Sequence, residues 1–143
     1  MPIVLLTLLL LPSLLWAGAP VQVVYHIATK DAHQQHIALL NLENHLQDLG
    51  ERQREAEIKV LLEGEGISLL VRAIEEPRLQ QRVIALQRAG VTFLVGGDSI
   101  KQQGIDPQKD LFQSAVSTLV DNSMLTLVTL QQQGFAYIPY TTR

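Results

Sequence analysis

Gly96-Gly97-Asp98-Ser99 follows the apolar triplet Phe93-Leu94-Val95, setting a carboxylate and a hydroxyl on free backbone where a buried strand passes into a helix. In open α/β sheets that junction is where ligands bind and reactive groups are placed. Successive N–H groups from Gly97 to Ser99 suit a small anion, which the Asp98 carboxylate opposes unless it turns outward. No G-x-S-x-G elbow surrounds Ser99, so it does not read as a hydrolase nucleophile. The plainer reading is a tight turn in which Asp98 or Ser99 caps the next helix. Gly64-Glu65-Gly66 lies behind another strand and can form the facing wall of the same site. It lacks the third glycine and the spacing of a dinucleotide fingerprint. Glu63 and Glu65 are carboxylates suited to acid–base work, although nothing in the pattern selects either.

The histidines raise metal chemistry. His33 and His36 share a helix face and His26 lies on the strand before them, but no carboxylate stands at a fixed ligand spacing. They read as surface or capping residues, and His45 beside Asn44 as packed or hydrogen-bonded within the domain, so no metal or cofactor is expected. Tyr25, Tyr137 and Tyr140 fall on the first and last strands, where they serve core or subunit packing or form aromatic pocket walls. The 143-residue chain has no cysteine, which excludes disulfides, thiolate metal sites and a cysteine nucleophile within it. A net charge of -3 with 11 scattered Lys and Arg argues against nucleic acid, which needs a concentrated positive face.

Alternating strands and helices position these residues. VQVVYHIA from Val21 to Ala28 reads as a buried first strand, and Asp31 caps a helix that Gly50 ends. Glu57 to Leu62 forms the second strand, followed after Gly64-Glu65-Gly66 by a short helix over ISLLVRAI. Pro77 opens a helix that stops at Gly90, and Val91 to Val95 is the third strand. A short helix from Asp98 to Gln103, a further turn from Asp106 to Leu111 and a fourth strand from Ala115 to Val120 come next. Asn122 or Ser123 caps the last helix, and Phe135 to Tyr140 closes the domain as a strand whose Pro139 marks an edge or an end. The alternation predicts right-handed βαβ units in an α/β fold, a three-layer α/β/α sandwich around a mainly parallel five-stranded sheet.

The first residues differ. MPIVLLTLLLLPSLLWAGAP is Leu-rich and free of charged side chains, short for a membrane span of about 20 residues and suited to a secretory signal. Cleavage after Ala17 or Ala19 gives a signal peptide over 1–19, a domain over 20–143 and a periplasmic or secreted protein. The alternative is a membrane anchor formed by the uncleaved segment.

From Val21 to Tyr140 the sequence resembles the DsrE/DsrF-like family, whose fold is often called YchN-like. The resemblance rests on VVYHIA, LLNLENHLQDLG, KVLLEGEGISLL, VIALQRAGVTFLVGGDSIKQQGI and LVTLQQQGFAYIPY. It implies a bacterial α/β/α domain that assembles into trimers or hexamers. In sulfur-relay members a cysteine at the end of the third core strand carries persulfide sulfur, and the resemblance sets Gly96 in that place. A glycine cannot carry sulfur. The expectation is therefore an exported homo-oligomer that binds a small ligand or a protein without sulfur transfer, its site lined by Gly64, Gly66, Gly96, Gly97, Asp98 and Ser99. The alternative is a noncatalytic subunit of a sulfur-relay or sulfur-oxidation complex, beside a cysteine-bearing partner.

Overall fold

The computed structural model of the chain describes residues 19–141. Within it β1 (Val21–Ile27), β2 (Ala56–Leu62), β3 (Thr92–Gly96), β4 (Thr118–Val120) and β5 (Ala136–Tyr140) form one sheet in the order β4-β3-β2-β1-β5. Every neighbouring pair is parallel. The helices are α1 (Ala32–Glu51), α2 (Ser68–Arg72), α3 (Pro77–Arg88), α4 (Gly97–Gln103), α5 (Pro107–Asp110) and α6 (Ser123–Gln132).

Side chains alternate between the sheet's faces, and the two faces are covered unequally. Val23, Tyr25 and Ile27 of β1, with Val60, Leu62 and Phe93, pack beneath Leu39 and Leu42 of α1, Leu69 and Leu70 of α2 and Val83 of α3. On the other face Val24, Leu61 and Leu94 meet Leu127 and Leu130 of α6, with Phe135. That division follows from topology. The chain steps from β1 to β4 with its crossovers on one face, then α6 carries it back across the other face to β5, beside β1. The order therefore reverses between β1 and β5, and in such sheets the crevice at the reversal is the usual ligand site.

Several boundaries differ from expectation. Gly96, not Asp98 or Ser99, is the N-cap of α4, and no side chain caps it, because both side chains are drawn into other contacts. Gly64–Ile67 forms a 3-10 turn before α2, splitting the expected single helix. The helix expected to stop at Gly50 runs to Glu51. The fourth strand begins at Thr118 rather than Ala115, since Ser117 Oγ turns back to donate to the Gln113 carbonyl at 3.1 Å. Asp31 and Asn122 do cap α1 and α6, accepting from the Gln34 and Leu125 N–H groups. The expected signal segment lies outside the described residues except for Ala19. Among the described residues no helix is long and apolar enough to cross a membrane.

Candidate functional site

The carboxyl ends of β1, β2, β3 and β5 carry two adjoining arrangements. In the first, the turn after β3 is tied to the start of α6. Asp98 Oδ1 accepts from the Ser123 hydroxyl at 2.8 Å and from the Ser99 N–H at 3.0 Å, while Oδ2 faces the Ser123 N–H at 3.5 Å. Burial pushes the Asp98 carboxyl up, but the donors outweigh it: the Ser123 hydroxyl, then the N–H groups of Ser99, Ser123 and Asp98 itself. The net result holds the carboxyl below its ordinary value. Asp98 thus turns inward, and its charge sits favourably at the amino end of α6.

This network fills the space beside Gly96. A Cβ built there would run into Ser123 Oγ and lie 2.9 Å from Asp98 Oδ1 and 3.2 Å from Ser99 Oγ. Ser123 is fully buried, so its hydroxyl has little room to retreat. The position therefore demands glycine in this chain's own geometry. Gly66 is held as closely by another contact, since a Cβ there would run into the Ile27 carbonyl. Gly97 lies under the Val120 carbonyl, which its Cβ would approach to 3.0 Å. Ser99 Oγ accepts from the Gly64 N–H at 2.8 Å, and Gln103 donates to the Gly64 carbonyl at 2.7 Å. Contacts therefore join the two glycine loops expected to face each other, Gly64 through Gly66 and Gly96 through Ser99.

The second arrangement lies at the topological reversal. His26, 4% exposed, bridges Tyr137 and Glu63: Nδ1 is 3.0 Å from the Tyr137 hydroxyl and Nε2 is 2.9 Å from Glu63 Oε2. An ionised Glu63 can only accept, so Nε2 carries the hydrogen and Nδ1 accepts from the tyrosine. The line runs from Tyr137 O–H through the imidazole to the carboxylate, with exposed Tyr137 at its outer end. Burial, and secondarily the Glu63 charge, raise the Tyr137 hydroxyl above its usual value, so it stays a hydrogen-bond donor at neutral pH. With both ring nitrogens and the tyrosine hydrogen engaged, the arrangement can accept from a polar ligand at the Tyr137 oxygen or the Glu63 carboxylate, and can pass a proton along its length.

Sequence reasoning marked each of these residues without joining them, and it read His26 as a surface or capping residue, whereas the structure buries it between the other two. Parallel register is what does so, pairing His26 with Leu61 on one side and Pro139 on the other. The other tyrosines work on the opposite face. Tyr25 bonds His45 Nδ1 at 3.0 Å and stacks on Tyr140, whose hydroxyl accepts from Asn41 at 2.7 Å. Burial, then the neighbouring Tyr140, pushes Tyr25 up to about 12. His36 on α1 meets Arg82 at 2.7 Å, away from His26. Among the described residues no group of three or more His, Asp or Glu side chains is placed to hold a metal ion.

The sequence profile of the DsrE/DsrF-like family matches residues 22–140. No curated protein matches the chain significantly. Among solved structures the chain is similar to MTH1491 of Methanobacterium thermoautotrophicum, a protein of unknown function, with 26% identity and a TM-score of 0.71, over 83% of this chain and 98% of that one. It is also similar to the YchN protein of E. coli, with 11% identity and a TM-score of 0.61 over the same shares, a likeness of fold alone.

Proposed function

The chain belongs to the DsrE/DsrF-like family, and we propose that it acts there as an exported, oligomeric binding domain that carries no sulfur itself. The observation supporting this is the closed seat at Gly96. The resemblance puts the sulfur-carrying cysteine of relay members at that position, and here Ser123 and Asp98 occupy the space its side chain would need. With no cysteine anywhere in the chain, there is no thiolate to take up persulfide.

Binding then falls to the neighbouring arrangement. Tyr137 and Glu63, joined through the buried His26, offer a hydroxyl oxygen and a carboxylate at the reversal point, suited to a small polar ligand that donates hydrogen bonds. The glycine loops from Gly64 to Gly66 and Gly96 to Ser99 form the wall of that site. Oligomerisation into trimers or hexamers is supported by α6, which has apolar side chains on its outer side as well as its inner one. It buries Leu127 and Leu130 yet leaves Leu125 67% exposed, with Met124 and Val128 also exposed.

The second reading, a noncatalytic subunit beside a cysteine-bearing partner, has an observation of its own. The exposed face of α6 and Leu119 on β4 start immediately beside the Gly96 turn, so a protein seated there would lie against that turn without entering the closed seat. Sedimentation of the purified protein separates the readings. A trimer or hexamer that falls to a folded monomer in Leu125→Glu supports self-assembly. A wild-type monomer at tens of micromolar contradicts it and leaves α6 for a different protein.

A further inference from the structure

Away from the sheet edge, a cavity of about 320 Å3 opens in the helix layer between the start of α1 and the corner joining α2 to α3. Half of its polar lining residues are arginines. Arg82 is fixed by a two-pronged pair with Glu43 at 2.8 and 3.0 Å and also donates to His36 Nδ1 at 2.7 Å. His36 must accept at that nitrogen, which leaves its Nε2–H as a donor.

Arg72 is held from behind. Its Nη2 donates at 3.1 Å to Gln35 Oε1, and the fully buried Gln35 is itself anchored to the Thr29 carbonyl at 2.7 Å and Ser68 Oγ at 3.0 Å. Glu76 lies 3.6 Å from Nη1, an ion pair too long for a hydrogen bond. The Arg72 Nε atom is buried and has no hydrogen-bond partner among the described residues. An oxyanion in the cavity therefore cannot reach that atom, and meets Arg72 at its terminal nitrogens, held by Gln35 and the long Glu76 pair.

Two further features point the same way. No side chain caps α3, and the Arg78 and Leu79 N–H groups at its start have no acceptor among the described residues. Arg78, on the cavity wall, makes no ion pair among them either. Three guanidinium groups against Glu43 and Glu76 leave one positive charge in excess. That local excess stands in a chain of net charge -3.

We propose that this cavity binds a small molecule through an oxyanion, a phosphate or a carboxylate group. The Arg72 terminal nitrogens and the open amides of α3 are the fixed donors, and Arg78 supplies the free charge. Charge-assisted bonds to an oxyanion are the strong class of hydrogen bond, and arginine's fork geometry suits them. The site is independent of the sheet-edge arrangement and does not rest on the reading given for it.

Calorimetric titration and thermal melting of the full chain with inorganic phosphate, with succinate and with sodium chloride at matched ionic strength test this. Saturable binding of phosphate or succinate, with a melting-temperature gain that chloride does not give, is the expected result, and the better ligand names the group. Arg78→Gln weakens that binding about tenfold or more, the loss of one charge-assisted contact. Arg72→Lys, which keeps the charge and removes the guanidinium fork, also weakens it, while Arg88→Gln outside the cavity leaves it unchanged. No saturable binding of either anion, equal gains with chloride, or binding that survives Arg78→Gln overturns the proposal.

Discussion

Gly96→Ala tests the closed seat through the sign of its effect. Gly96 has φ −67° and ψ 113°, a conformation that any residue adopts. In an open seat alanine would therefore stabilise the protein by about 0.4–1 kcal/mol, because it restricts the unfolded chain. The structure predicts the reverse. The new methyl group drives into Ser123 Oγ, whose hydroxyl is the strongest partner of Asp98. Overpacking of this kind costs about 1–3 kcal/mol. Losing a hydrogen bond to a charged group costs about 1.5–3 kcal/mol, taken at the low end because Asp98 is half-buried. Some of each is recovered by relaxation, so the expected loss is about 2–4 kcal/mol, a fall in Tm of roughly 10 °C. Urea unfolding at fixed protein concentration measures it. Ser123→Ala removes the obstructing hydroxyl, so Gly96→Ala in that background costs at least about 1 kcal/mol less, a coupling expected of residues in contact. A neutral or stabilising Gly96→Ala, or strict additivity with Ser123→Ala, would refute the reasoning.

Gly66→Ala is costlier than Gly96→Ala, about 3 kcal/mol or more, because it meets the Ile27 carbonyl, and backbone cannot swing aside as a hydroxyl can; comparing the two urea midpoints checks the order. Asp98 is held below its ordinary value when folded, so its contribution is present above the unfolded carboxyl range and fades as pH falls through the folded value. Asp98→Asn therefore destabilises at neutral pH and flattens the acid side of the stability profile, and an unchanged acid limb counts against the Ser123 contact. Tyr25 is raised to about 12, so its contribution is complete below pH 10 and lost as pH rises toward 12. Ultraviolet titration of wild type against Tyr25→Phe should remove one late-ionising tyrosine, and an ordinary titration in wild type contradicts its burial. His26→Ala leaves the Tyr137 hydroxyl and Glu63 without their shared partner, and the Tyr137 ionisation should shift in the same titration.

The fold was legible because its signals are local and repeated. The β-branched run from Val21, the Asp31 and Asn122 caps and Pro77 at the first turn of α3 each specify an element without help from distant residues. Pro139 marked β5 as an edge strand, which it is. The misjudged boundaries are those that tertiary contacts decide. Asp98 has the chemistry of a cap, and it is spent instead on Ser123, 25 residues along the chain. The site was legible only in part for the same reason. The paired glycine loops could be read as facing walls from their strand-end positions, but the inward turn of Asp98 could not. Tyr137, His26 and Glu63 are separated by 111 and 37 residues along the chain and carry no shared motif, so only strand order and register bring them together. The arginines of the helix-layer cavity, Arg72, Arg78 and Arg82, are neighbours in sequence, but only the packing of the α2–α3 corner against α1 encloses them in a cavity.

Native mass spectrometry of the protein purified from the periplasm, gently enough to keep bound small molecules, tests the central claim most directly. It reads the processed amino terminus, the assembly and any retained ligand in one spectrum. The account predicts a trimer or hexamer of subunits cut after Ala17 or Ala19, carrying a discrete added mass that His26→Ala loses. A bare monomer that still holds its leading segment would contradict it.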